Sequence, residues 1–299
     1  MLASAILETI SIFRLFSSGS TDVRYPGRQM KERSRRQSFL GSQSDKILGE
    51  CAVAIVGLGG GGSHIAQQLG HLGVGNFLLF DPDRVEESNL NRLVGATAED
   101  AAQGSQKTLV SSRVISGINP PARTERLDGK WQEFHQYLRG SDIIFGCGDT
   151  YRDRYELEIA ARRYLVPYID IGMDVHEVEG GFSVSGQVIL SMPGCLCMRC
   201  LGFLRDDLLA KEAENYGAAG ARPQVVWANG ALASAAVGLF TQLFAPWRGT
   251  HAASVYLEYD GNNQSVTTSN RLVQMRDKNC PHFLQLSDLG DPFWIPEKV

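Results

Sequence analysis

The apolar run Val53–Val56 stops at "GLGGGGS", Gly57 to Ser63, and a helical pattern takes over through Leu69. Few arrangements admit that order of residues. Gly57, Gly59 and Gly62 form G-x-G-x-x-G between a strand and a helix, where backbone N–H groups and the positive helix end face an anion. Asp81 closes the next apolar run, where an acid can hydrogen-bond a ribose hydroxyl. The loop reads as a nucleotide site. Alone, it does not choose between a dinucleotide and ATP.

Short β-rich runs alternate with helical stretches as far as Ile171, which predicts an α/β fold: a Rossmann-like, doubly wound and mainly parallel sheet. Beyond Gly172 the alternation in "GGFSVSGQVILSMPG" predicts antiparallel strands that extend the sheet. We expect an N-terminal helix and linker over 1–30 and one domain over 31–299. Its halves are a nucleotide-binding part, about 31–172, and a part that recognises a second substrate, about 173–299.

The choice of nucleotide comes from "DPDRVEESNLNRLVGATAEDAAQGSQK", Asp81 to Lys107. It adds a second acid, Asp83, an Asn-rich turn, and the cations Arg92 and Lys107, which suit a triphosphate better than a dehydrogenase cofactor. Asp149, in "GCGDTYRDR", lies just past an apolar strand at the edge where open α/β sheets bind ligands. A carboxylate beside a triphosphate holds Mg²⁺. Singly, Arg92 and Lys107 read as solvated charges and Asp149 as a helix N-cap. Jointly, at strand ends of one sheet, they read as a site.

These blocks, with a later C-x-x-C, resemble the ThiF/MoeB adenylyltransferase family, relatives of the ubiquitin-activating enzymes, from about Arg36 to Cys280. The resemblance implies ATP-dependent adenylation of a carboxylate, commonly the C-terminal glycine of a ubiquitin-like or sulfur-carrier protein, with release of pyrophosphate. It implies that Gly57, Gly59 and Gly62 cover the nucleotide and Asp81 binds the ribose. Asp83, Asn89, Arg92 and Lys107 then surround the phosphates, and Asp149 holds Mg²⁺. Arg154 matches the arginine after the family's "DN" element. Arg36, in "RRQ", matches an arginine that reaches across a homodimer interface to the partner's ATP. Two positions depart from the pattern: Leu93 where Gln is usual and Thr150 where Asn is usual.

Cys197 and Cys200 form C-x-x-C, half of a tetrahedral Zn²⁺ site. The family's second half is another C-x-x-C; here "KNCPHF" offers Cys280 but Phe283 in place of the last thiol. His282 is the expected fourth ligand and Cys195 its rival. Four protein ligands make the zinc structural. Cys51 and Cys147 read as core residues. No cysteine lies between Cys200 and Cys280, so either the reaction stops at the acyl-adenylate or the attacking thiol lies elsewhere or on a partner.

The formal charge of −4 gives no reason to expect nucleic acid or an anionic membrane as partner. The N-terminal apolar run has Glu8 inside it and no early cation, which predicts a cytoplasmic protein. The uncharged stretch "PQVVWANGALASAAVGLFTQLFAPW" is rich in Ala, Gly and Ser, suiting a packed internal helix better than a membrane span. Alternative readings are adenylation of a small-molecule or tRNA-linked carboxylate, an NAD-dependent oxidoreductase, and an inactive nucleotide-binding scaffold.

Overall fold

In this computed structural model residues 32, 34–214, 223–247, 254–275, 278–283, 289–291 and 293–296 are described; the segment expected over 1–30 lies outside them. After a 3₁₀ turn at Arg35–Leu40 come α1 (Ser44–Glu50), β1 (Ala52–Val56), α2 (Gly60–Leu72), β2 (Asn76–Phe80), α3 (Ala98–Gln103), α4 (Lys107–Ile118) and β3 (Arg123–Leu127). Then follow α5 (His135–Leu138), β4 (Ile143–Gly146), α6 (Tyr151–Arg163), β5 (Tyr168–Val178), β6 (Gly181–Ser191) and α7 (Asp206–Glu214). The last elements are α8 (Val226–Phe244), β7 (Val255–Asp260), β8 (Ser265–Thr268) and α9 (Asn270–Met275).

One eight-stranded sheet runs β3-β2-β1-β4-β5-β6-β7-β8. The pairs from β3 to β5 are parallel and those from β5 to β8 antiparallel. Side chains alternate between two apolar layers, as a strand covered on both faces requires. Val53 and Ile55 of β1, Ile143 and Phe145 of β4, and Val188 and Leu190 of β6 enter one layer, where α2 and α8 pack. Ala54, Val56, Ile144 and Ile189 enter the other, with Leu157, Ala160 and Ala161 of α6. Each branched side chain so buried contributes about 1.5–3 kcal/mol.

β1 sits at the switch point, with β2 on one side and β4 on the other. Val56 is level with Phe80 and with Gly146, so the carboxyl ends of three strands finish in one row. Ligands of open α/β sheets bind there. β5 passes Gly172 without a break, because Gly172–Val178 pairs residue for residue with Gly181–Gln187. The two expected halves therefore share one sheet.

The uncharged stretch forms α8, which presents Leu232, Ala233, Ala236 and Phe240 to the core. Among the described residues no helix is long and apolar enough to cross a membrane.

Candidate nucleotide site and metal centre

β1 ends where Gly57 turns with φ +87°, its N–H donating to the Phe80 carbonyl at 2.9 Å. A Cβ at Gly57 would lie 2.8 Å from the Cys147 carbonyl oxygen, so β1 and the end of β4 close up only around glycine. At Gly62 a Cβ would reach 1.9 Å from the Gly57 carbonyl oxygen. At Gly59 it would meet nothing within 4 Å. The first and last glycines thus shape the loop, and the middle one leaves its outer side open.

Asp81 is buried and locks this loop. Its Oδ2 accepts the Leu58 N–H at 2.6 Å and its Oδ1 the Asp83 N–H at 2.8 Å. Burial raises its pKa from the ordinary aspartate value, against the lowering pull of Lys107. Lys107 places Nζ 2.7 Å from Asp83 Oδ2 and 4.0 Å from Asp81 Oδ1. Its helix, α4, starts beside the acids because the Lys107 N–H donates to the Asp83 carbonyl at 3.2 Å. Asn89 builds the intervening turn: its Oδ1 accepts the Glu86 N–H at 3.1 Å and its carbonyl accepts the Arg92 N–H at 3.0 Å. Arg92 is half-buried, its Nη1 donating to Ser88 O at 2.6 Å and Asn91 Oδ1 at 2.9 Å.

Asp149 lies exposed three residues beyond the end of β4. Gln224, just ahead of α8, ties it to the Arg92 turn: Gln224 Nε2 donates to Asp149 Oδ1 at 3.5 Å, and Asn91 Nδ2 donates to Gln224 O at 3.5 Å. Asp149 does not cap the next helix. Thr150 does, its Oγ1 accepting the Asp153 N–H at 3.0 Å, which gives the residue standing in place of the family's Asn a helix-starting role. Leu93, the other departure, turns inward onto Val85 and Val110.

Arg154 is buried behind the turn that follows β4. It pairs with Asp170 at 2.5 Å and donates to the carbonyls of Ile171 at 2.9 Å and Gly148 at 2.5 Å, buttressing the turn that carries Asp149. Asp170 also accepts from the Tyr168 hydroxyl at 2.8 Å and from Gln187 Nε2 at 3.3 Å. Sequence reasoning missed this network, and also Asn229, against which Gly60 packs. The signal for Asp170 was an acid within an apolar strand. Asn229 gave only a polar residue in an uncharged helix.

Arg36 is exposed on the 3₁₀ turn. The next residue, Gln37, donates to the carbonyl of His71, near the far end of α2 from the loop. At about 1.5 Å of rise per residue that separates the Arg36 segment from its own chain's Gly60 by the length of the helix.

At the other end of the molecule Cys197, Cys200, Cys280 and His282 place one donor atom each within 4.8 Å of one another. The two sulfurs of the C-x-x-C are 3.5 Å apart, and His282 Nδ1 lies 3.4 Å from each. A tetrahedral zinc, with Zn–S about 2.3 Å and Zn–N about 2.0–2.1 Å, needs neighbouring donors at such spacing. The donor set fits the ion. Cys195 is not among the four; its carbonyl instead accepts from Arg162 Nη1 at 3.2 Å. Hydrogen bonding from the Cys197 thiol, chiefly, pulls the Cys280 thiol down to about 4. Burial pushes the thiols of Cys147 and Cys195 up, so neither is a ready thiolate at neutral pH.

The family model described as "ThiF family" matches residues 32–282. The chain belongs to the ThiF family. Among its ThiF relatives it is 28% identical over 164 residues to the SAMP-activating enzyme E1 of Haloferax volcanii, covering 54% of this chain and 57% of that one. To the sulfur carrier protein adenylyltransferase of Thermus thermophilus it is 31% identical over 175 residues, 57% and 63% of the two chains. The matches thus span less than two thirds of these relatives. Among solved structures, E. coli MccB with AMPCPP and MccA superposes with a TM-score of 0.64 at 18% identity, over 81% of this chain and 72% of that one. PaaA gives a TM-score of 0.64 at 19% identity, over 85% and 86%. At those identities the likeness is one of fold.

Proposed function

We propose that this protein is an adenylyltransferase that activates the C-terminal carboxylate of a ubiquitin-like or sulfur-carrier protein as its acyl-adenylate, consuming ATP and releasing pyrophosphate. One observation carries the reading: a glycine loop, a buried acid with a paired lysine, and an exposed acid stand together on the level carboxyl ends of β2, β1 and β4. Names among the relatives, SAMP-activating enzyme and sulfur carrier protein adenylyltransferase, support the same class.

In this reading the Gly57–Gly62 loop covers the nucleotide, with the substrate filling the open side of Gly59, and Asp81 accepts from a ribose hydroxyl. The carrier's carboxylate, already ionised at neutral pH, attacks the α-phosphorus in line, so the chain supplies neither nucleophile nor base. Lys107 leaves Asp83 for the phosphates, and Arg92 swings from the Ser88 carbonyl to meet them; both spread the charge that develops on pyrophosphate. Asp149 is the side chain that holds Mg²⁺, whose charge offsets the polyphosphate's. Asn89 shapes the turn that presents Arg92. Arg36, remote from its own chain's loop, serves the site of a second copy in a homodimer. The metal held by Cys197, Cys200, Cys280 and His282 is zinc, closed by four protein ligands and structural.

Pyrophosphate exchange into ATP, assayed with small ubiquitin-like proteins ending in Gly-Gly, tests the reading. Exchange that needs both the carrier and its free C-terminus is expected. Tight binding of NADH with no ATP binding would replace it with the oxidoreductase reading.

A further inference from the structure

Beneath the Cys3His cluster lies a buried ion pair that the adenylation chemistry leaves unused. Glu158 and Arg162 stand one turn apart on α6, with side chains 0% and 1% exposed and Arg162 Nη2 3.8 Å from Glu158 Oε1. Arg162 donates from Nη1 to the Cys195 carbonyl at 3.2 Å, and from Nη2 to the Leu196 carbonyl at 3.2 Å and Ser191 Oγ at 2.8 Å. Glu158 Oε1 accepts the Met198 N–H at 2.9 Å and the Ser191 hydroxyl at 2.5 Å. These bonds grip the backbone on both sides of Cys197.

The same arginine reaches the other half of the cluster. Its guanidinium lies 4.6 Å from the ring centroid of Phe283, the residue after His282. That phenylalanine stands where the resemblance led us to look for a fourth thiol. One side chain therefore touches the segments bearing all four donors. Desolvating an ion pair offsets most of its attraction, and Glu158 Oε2 and Arg162 Nε have no hydrogen-bond partner. What the pair supplies is geometry, since its hydrogen bonds end on the loop that holds the ligands. Groups behind the ligands of a metal commonly set how tightly it is held.

We propose that Glu158 and Arg162 are positioning residues of the metal centre: they hold the Cys197–Cys200 turn and the Cys280–His282 turn at coordinating distance before the ion arrives. This rests on reading the cluster as a zinc site.

The test uses the full chain as wild type, Arg162→Lys and Phe283→Leu, each stripped of metal and reloaded with Zn²⁺ or Co²⁺. Lysine keeps the charge beside Glu158 but cannot donate to two carbonyls while lying flat on a ring. Leucine removes only the ring, from a half-buried position, and serves should the lysine variant not fold. Both are expected to release zinc to a chelator about 10-fold faster or more and to shift the Co²⁺ ligand-field bands, with far-ultraviolet circular dichroism unchanged. Release rates and cobalt bands equal to wild type in a folded variant would overturn the proposal, leaving the pair as a tie between α6 and β6. Wild type that retains no metal would instead remove the zinc reading and this proposal together, a result distinct from variants that match a loaded wild type.

Discussion

At the glycine-loop end, the polar groups offered to a ligand hang from strand ends and the turns after them. At the Cys3His end the donors come from segments 80 residues apart, Cys200 to Cys280, and meet through side chains. In the first cluster Asp149 is exposed and takes a 3.5 Å hydrogen bond from Gln224, and Arg92 is half-buried and bonded to its own turn. The second is knit at 3.4–3.5 Å over a buried ion pair. A site that must exchange substrates keeps its charged groups free to move between partners, whereas a site that holds the fold together fixes its donors in advance.

That contrast separates loss of activity from loss of stability. The largest effect falls on Asp149→Ala, expected to cut carrier-dependent pyrophosphate exchange by about 100- to 1,000-fold, the scale seen when one group that stabilises developing charge is removed. The melting temperature should not move, because the cap of α6 is Thr150. Retained exchange would mean that Asp149 takes no part in the reaction.

Cys197→Ala should do the reverse. Loss of a structural metal ligand is among the few changes that cost several kcal/mol, and about 2–4 kcal/mol lowers the melting temperature by roughly 5–15 °C in a chain of this size. Calorimetry of metal-loaded and chelator-treated wild type should show the same drop. A metal-independent melting temperature would mean that the four donors are simply packed thiols and an imidazole.

Two glycines of the first cluster differ in what surrounds them. Gly62→Ala drives a Cβ into the Gly57 carbonyl and should destabilise by about 1–3 kcal/mol or more, read by denaturant unfolding. Gly59→Ala meets nothing, so it should fold as wild type and weaken ATP binding alone. Equal effects at the two positions would show that the outer side of the loop is not where the nucleotide lies.

The smallest effect concerns the support of Lys107's helix. Arg113 reaches Asp100 with two nitrogens, at 2.9 and 2.6 Å, and together with Thr97 holds that carboxyl well below the usual carboxylate range. A depressed carboxyl stabilises the fold above its unfolded value, near 3.9, and the gain disappears as pH falls through the folded value. Asp100→Asn should therefore cost about 1 kcal/mol at pH 7, with the gap to wild type closing in acid. A constant gap from pH 7 to pH 2 would assign the effect to packing.

Much of this was legible beforehand because strand ends impose spacing on the chain. Gly57, Asp81 and Asp149 each follow an apolar run, so three parallel strands bring these candidate binding residues to one edge of the sheet. Features set by tertiary packing were not legible. Arg154 belongs to the family pattern, yet its buried pairing with Asp170 depends on β5 lying beside β4. Leu93 sits amid polar residues and turns inward because Val85 and Val110 make a small apolar cluster there. His282, by contrast, follows from the Cys-Pro-His turn in the sequence, and the cluster holds it and not Cys195. The length of β5 waited on its pairing with β6, since "GMDVHEV" lacks the apolar density of the strands before it.

The proposed function requires the ends of β2, β1 and β4 to form a site for magnesium-bound ATP. Isothermal titration of the wild-type chain with MgATP, with ATP in EDTA and with NADH tests it most directly. The expected result is saturable binding of MgATP at one site per chain, weakened by EDTA and by Asp149→Ala, and no heat from NADH. Tight NADH binding without MgATP binding, or MgATP binding indifferent to Asp149, would contradict it.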